Sequence, residues 1–180
     1  MYSLYLKILS ECDWCCDPKT LSTYQQEWLL HEGSLTQKLY DVATNFNVEV
    51  VQEKWIAKNS EKTTACNEDV WSREVLLKDG EKNWIFAQTL VPRSTIENIA
   101  QNVLELGNQP IGLWLFSQNP TRTKLEWTQT ENGLFARRGV YEIRGYSLEI
   151  RELFFRNLSL FIKKSVGNDT NRFSSYFAKN

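Results

Sequence analysis

In the stretch DVWSREVLL, residues 69–77, a period of two puts Trp71, Val75 and Leu77 on one face with Arg73 among them. A guanidinium buried without a partner costs several kcal/mol, so either the period is misread or Arg73 meets an anion inside. The stretch SLEIRELFF repeats the pattern with the opposite sign, Glu152 sharing a face with Leu148, Ile150 and Phe154. In one reading Arg73 and Glu152 pair directly as a buried salt bridge, an arrangement that often gains little over well-packed apolar side chains. In the other they line an apolar cavity and meet opposite ends of a small molecule. Arg73 would then take a carboxylate with its bidentate fork. Glu152 would accept a hydrogen bond from a hydroxyl, or move a proton if burial raises its pKa. A mostly apolar pocket with a few polar anchors suits a small aromatic or cyclohexadiene acid. Arg137 shares a face with Tyr141 and Ile143 and is expected to point inward, whereas Arg138 on the other face is expected to be solvated.

Strands and helices must position these groups. NVEVVQEKW alternates and reads as a strand, followed by a polar loop over residues 56–69. DVWSREVLL and WIFAQTLVP are joined by KDGEKN, and KLEWTQT and LFARRGVYEI flank Glu131–Asn132–Gly133; both junctions are hairpin signals. SLEIRELFF is the last clear strand. Residues 17–30, with Leu21, Tyr24 and Trp28 at helical spacing, predict one helix, and Ser34 caps a second carrying Leu35, Leu39, Val42 and Phe46. The S-x-x-E of Ser94–Glu97 predicts a capping box opening a helix with Ile96, Ile99, Ala100, Val103 and Leu104 inward and Gly107 as its stop. QPIGLWLF, residues 109–116, is a short apolar turn or helix. Tight hairpins mean antiparallel pairing, so the expectation is a single α+β domain, an antiparallel sheet of about six strands with helices packed against it.

The chain of 180 residues suffices for one domain with a real core. Its net charge of −1, with both signs interleaved, offers no bulk basic surface for nucleic acid or acidic membranes. No apolar run approaches a membrane span, and the start MYSLYLKILSECDW has no leader pattern, so a retained, cytoplasmic protein is expected. Cys12 and Cys15 form a C-x-x-C, beside Cys16 and a distant Cys66. A structural zinc wants four nitrogen or sulfur ligands, and with His31 as the one histidine in the chain the thiols read as ordinary ones. Neither a Ser–His–Asp triad nor a His-rich metal centre is readily built, so no metal or cofactor is expected.

Six segments occur in an order that closely resembles the chorismate lyase family: WLL-x-E-x-S-x-T (28–36), WSREVLL (71–77), TLVP with Ser94–Thr95 (89–95), LG-x-x-P-x-G-x-x-LF (106–116), GLFARR (133–138) and LEIRELF (148–154). The resemblance implies an antiparallel sheet with a buried product site behind flap-like segments. It also implies cofactor-free conversion of chorismate to 4-hydroxybenzoate and pyruvate, the first step of ubiquinone synthesis, by a monomer that retains its product strongly. On this resemblance Arg73 holds the ring carboxylate and Glu152 faces the 4-hydroxyl, while Leu35 and Ile111 line the ligand through backbone or apolar contact. Gln88 is a departure, standing where relatives often have an arginine; if that arginine holds the enolpyruvyl carboxylate, the expectation is weaker substrate binding or compensation from a nearby base such as Arg137 or Arg93. Residues 1–164 would be the catalytic domain and 165–180 a flexible tail. The rival readings are a non-enzymatic small-acid-binding domain like the effector domains of GntR-type regulators, and a protein that only retains 4-hydroxybenzoate. GntR-type domains normally follow a winged-helix DNA-binding segment, for which this chain shows no basic helix.

Overall fold

The alternating runs become six strands: β1 (Phe46–Ile56), β2 (Val70–Asp79), β3 (Lys82–Pro92), β4 (Thr121–Gln129), β5 (Phe135–Ile143) and β6 (Tyr146–Phe154). The computed structural model describes residues 2–15, 17–58 and 67–158. The expected tail, Cys16, Cys66 and the middle of the 56–69 loop therefore lie outside the described residues. All neighbours in the sheet are antiparallel, in the order β1-β2-β3-β6-β5-β4. Two three-stranded meanders thus meet along β3 and β6. Gly80 (φ +56°) and Gly133 (φ +72°) close their hairpins in the left-handed region that side chains disfavour.

Among the described residues five α-helices flank the strands: α1 (Tyr2–Ser10), α2 (Thr23–Leu29), α3 (Leu35–Val42), α4 (Arg93–Thr95) and α5 (Ile111–Ser117). Ser34 caps α3 as expected, its hydroxyl accepting from Gln37 N, and a capping box not anticipated from sequence, Ser22 with Gln25, starts α2. The expected box at Ser94 does not form. The Ser94 amide and hydroxyl both donate to Glu68 (2.7 and 2.8 Å), and Glu97 faces Arg93 instead. The segment after α4 is also irregular, a π turn over Ile96–Ala100 and a 3-10 turn over Gln101–Glu105. The tighter 3-10 winding keeps Val103 inside and turns Leu104 outward.

Helical segments cover the Arg73-bearing face of the sheet at two ends. At one end Leu29, Leu35 and Leu39 of α2 and α3 pack on Val75, Leu77, Ile85 and Phe154. At the other, Ile96, Ala100, Val103 and Leu115 of the crossover between β3 and β4 pack on Trp71, Val91, Leu148 and Ile150. The reverse face is covered by α1, whose Leu9 joins Leu76, Phe86, Ala136 and Leu153. No helix is evident from the sequence of this first segment; it forms because its apolar residues find the reverse face of the central strands. Leu153 is fully buried there, away from the front face. Leu153→Ala is expected to lower unfolding free energy by about 2–5 kcal/mol, measured by urea denaturation, while leaving ligand affinity on the front face within about two-fold.

Candidate active site

Strand register lays the front-face side chains out as a grid. One row runs Arg73, Thr89, Ile150 and Gly139 across β2, β3, β6 and β5; the next runs Val75, Ala87, Glu152 and Arg137. With strands ~4.8 Å apart and same-face residues ~6.7 Å apart along a strand, Arg73 and Glu152 start roughly 12 Å from each other. Between them lie Thr89, Ala87 and Ile150, and the small side chains of the first two leave room above the sheet. Leu35, Thr36, Pro110, Ile111, Gly112 and Phe116 form the roof of an enclosed cavity of ≈ 40 Å³, which Arg73, Arg137, Tyr141 and Glu152 also line. The cavity lies at the seam between the two apolar clusters. Leu35 opens α3 and Ile111 opens α5, and the helix starts approach closely. A Cβ on Gly112 would sit 2.5 Å from Thr36 Oγ1.

The two arginines are satisfied differently. Arg137 is buried and donates to both Glu152 oxygens, while its Nη1 reaches the Trp28 carbonyl oxygen at 3.1 Å. Burial opposes the Arg137 charge, but the Coulombic attraction and hydrogen bonds of Glu152 outweigh it, so the guanidinium is held more firmly charged. Arg73 is 1% exposed, and its Nη2 donates to the carbonyls of Gly107 (2.7 Å) and Gln109 (3.0 Å). Its Nη1 lies 3.2 Å from Glu53 Oε1 across the β1–β2 pair. That nitrogen nevertheless has no aligned acceptor among the described residues. Burial lowers the Arg73 pKa, and Glu53 restores only part of the loss. The direct Arg73–Glu152 pair is therefore not formed. Glu152 has its own counter-charge in Arg137, and Arg73 keeps a donor to spare beside the cavity.

Five of the six site residues expected from sequence, Leu35, Arg73, Ile111, Arg137 and Glu152, come together in this cavity. Gln88 does not. Ala87 and Thr89 face the cavity, so the residue between them points to the reverse side, where Gln88 donates to Ser72 Oγ at 3.3 Å and lines a separate pocket with Glu74, Lys54 and Arg151. Arg93 also cannot compensate there, being paired with Asp69 at 3.0 Å and stacked over Trp55. Arg138 lies on the reverse face as expected but is not simply solvated; it pairs with Glu126 and covers the Trp14 ring. Sequence reading missed Tyr141 and Thr36 as cavity residues. Tyr141 had a signal, since it alternates with Arg137, but its aromatic ring reads as core. Burial pushes its phenol pKa up.

The turn between α2 and α3 closes one side. Arg122 Nη1 donates to the His31 carbonyl at 2.7 Å, and the His31 ring folds over Gly33, Nε2 standing 3.0 Å from where a Cβ would be. Burial and the charges of Lys38, Arg137 and Arg122 push the His31 imidazole below its usual pKa.

The chain matches the chorismate lyase family over residues 9–166. It is 35% identical over 163 residues to a probable chorismate pyruvate-lyase of Pasteurella multocida, covering 84% of this chain and 93% of that one. It is 30% identical over 152 residues to a chorismate pyruvate-lyase of Pectobacterium carotovorum, covering 82% of this chain and 86% of that one. Among solved structures, the ligand-binding domain of a putative GntR-family transcriptional regulator from Bordetella bronchiseptica aligns with a TM-score of 0.47 and 9% identity, covering 64% of this chain and 85% of that one.

Removing one partner of the Arg137–Glu152 pair leaves the other charge buried. Arg137→Met is expected to cost about 3–5 kcal/mol of stability, and Arg137→Met combined with Glu152→Leu to recover most of it, both read from urea denaturation. The lowered His31 pKa means that the unfolded chain takes up the proton first as pH falls. Its contribution is fully present above the ordinary histidine pKa of ~6.5 and is lost as pH drops through that value. The urea midpoint should therefore fall less between pH 7.5 and 5.5 in His31→Asn than in the unaltered protein.

Proposed function

The chain belongs to the chorismate lyase family, and we propose that Arg73 and Glu152 hold the two ends of the ring as it converts chorismate to 4-hydroxybenzoate and pyruvate. One observation carries the assignment: a fully buried guanidinium beside an apolar cavity, with Nη1 lacking an aligned acceptor among the described residues. A ring carboxylate supplies an aligned acceptor and a second countercharge beside Glu53. Glu152, already clasped by Arg137, offers acceptor oxygens to the 4-hydroxyl at the far end. Leu35 and Ile111 add apolar contact and, as first helical residues, N–H groups with no intrahelical acceptor.

The reaction breaks the C3–O bond to the enolpyruvyl group and removes the C4 hydrogen. That hydrogen ends on the methylene carbon of the leaving group, giving pyruvate, and the ring becomes aromatic. The driving force belongs to the substrate. The protein contributes positioning, charge complementarity and exclusion of water. A direct transfer of the C4 hydrogen to the methylene carbon needs no protein base; transfer by way of a carboxylate would use Glu152. In ubiquinone synthesis this is the first step.

The enclosed volume of ≈ 40 Å³ holds a few waters rather than a ring acid, so the α2–α3 turn or the 107–110 turn parts to admit substrate. Reclosure over an apolar product site favours slow release. We assign residues 1–164 to the catalytic unit, a reading supported by the extent of the family match. A cytoplasmic monomer acting on small molecules alone fits a net charge of −1 and the absence, among the described residues, of a helix long and apolar enough to cross a membrane. The family match favours the lyase over a non-catalytic small-acid-binding domain.

Arg73→Ala should weaken 4-hydroxybenzoate binding by at least ~30-fold and raise KM together, as expected for loss of a charged hydrogen-bonding partner; unchanged product affinity in calorimetry would sink its role. Glu152→Gln should lower kcat by roughly 10- to 100-fold with a smaller change in product affinity. Full activity in a pyruvate-release assay would remove Glu152 from the mechanism.

A further inference from the structure

Chorismate carries two carboxylates, and the cavity as assigned above accounts for only the one on the ring. Gln88 faces the other side of the sheet, and Arg93 is paired elsewhere. The enolpyruvyl group sits on the carbon next to the one bearing the hydroxyl, so its carboxylate must lie at the Glu152 end and to one side of the ring. On the β3 side of Glu152 stands Ala87, which offers no donor. On the β5 side stand Arg137 and, one and two rows along the same strand, Gly139 and Tyr141.

Gly139 and Tyr141 are built as a pair. A Cβ on Gly139 would stand 2.8 Å from the Tyr141 ring and 3.0 Å from its hydroxyl oxygen. The phenol therefore folds back along β5 over the glycine, carrying its hydroxyl toward Arg137 and the cavity rather than away from it. The Phe116 ring of the roof meets it edge-on at 5.9 Å, fixing the ring from above. Behind it, Arg122 is the direct cross-strand neighbour of Tyr141, and its charge acts on the phenol. The same guanidinium is anchored by Nη1 on the His31 carbonyl. Half-buried Arg122 is thus anchored on the α2–α3 turn while lying directly across the strand pair from a cavity-lining tyrosine. Of the charges that act on Tyr141, Arg137 and Arg122 are positive and Glu152 alone is negative, an excess of positive charge on the side where the second carboxylate must go.

We propose that Tyr141 and Arg122 form the subsite for the enolpyruvyl carboxylate, Tyr141 donating a hydrogen bond to it and Arg122 supplying the balancing charge. Both are then specificity residues that recognise the substrate but not the aromatic product, which has lost this group. The inference rests on the chorismate lyase reading and locates a contact which that reading leaves open. It also provides an asymmetry useful for turnover: after C3–O cleavage the dianionic ligand becomes two monoanions, and only one keeps its hold on Arg73.

The test compares two ligands on the full chain. Tyr141→Phe and Arg122→Gln should each lower kcat/KM for chorismate by roughly ten-fold or more, the loss expected for one hydrogen bond to a charged group. The Kd for 4-hydroxybenzoate, measured by calorimetry, should move by less than about two-fold in Tyr141→Phe. Arg122→Lys, which keeps the charge, should retain more activity than Arg122→Gln. Gly139→Ala, whose new methyl displaces the Tyr141 ring, should copy Tyr141→Phe in sparing product affinity. Equal losses for both ligands in Tyr141→Phe, or no loss for either, would overturn the subsite. Absence of pyruvate from the unaltered protein with chorismate would instead overturn the assigned reaction, and the subsite with it.

Discussion

Three ionisable side chains, Arg73, Arg137 and Glu152, stand on a sheet face from which water is excluded, and much of the front of the molecule is organised by the need to satisfy them. Donors of both guanidiniums are met by backbone carbonyls from loops above the sheet: Trp28 for Arg137 Nη1, and Gly107 and Gln109 for Arg73 Nη2. Half-buried Arg122 adds the His31 carbonyl. The bonds that neutralise the site are therefore also the bonds that hold its two covering turns in place. Opening either turn must break these bonds, which couples loop position to the buried arginines. Arg137 and Glu152 are directly cross-strand, so their pairing is set by the register of β5 and β6 and survives movement of either turn.

Space is provided by the same geometry. The helices and crossover turns that build the two apolar clusters cover opposite ends of one sheet face, and the gap left between them is floored by Ala87, Thr89 and Ile150. The roof is tight where Gly112 meets Thr36, since nothing larger than hydrogen fits there without separating α3 from α5. The reverse face performs a different task. Leu9 of α1 seals the central strands there, and Gln88 with Glu74 and Lys54 lies in a polar recess outside the front-face cavity.

Much of this was legible in the residues. Alternation around Arg73, Arg137 and Glu152 placed each on an apolar face, and the two Gly-containing hairpins announced the antiparallel pairing, because both signals are local and have a fixed period. Other features were not legible because they depend on residues far apart in the chain. Ser94 is capped by Glu68, 26 residues away, so the S-x-x-E box at Ser94–Glu97 stays unmade. The parity of β3 could have excluded Gln88, since Thr89 and Ala87 flank it. The choice of which parity faces the cavity, however, required knowing that Thr89 pairs with Arg73.

By itself, the amino-acid order determined the strands, the hairpins, the charge problem on the front face and the family, all of which follow from short-range periodicity or from motifs read in sequence. Tertiary structure alone decided who neutralises whom. Arg73 and Glu152 have complementary charges and similar surroundings, and either could have been the other's partner. Strand order puts β3 between β2 and β6 and sets Arg137 directly opposite Glu152. A salt bridge falls off steeply with distance and desolvation makes every unpaired charge costly, so the adjacent guanidinium takes the carboxylate. The distant one is left with an unaligned donor beside a cavity.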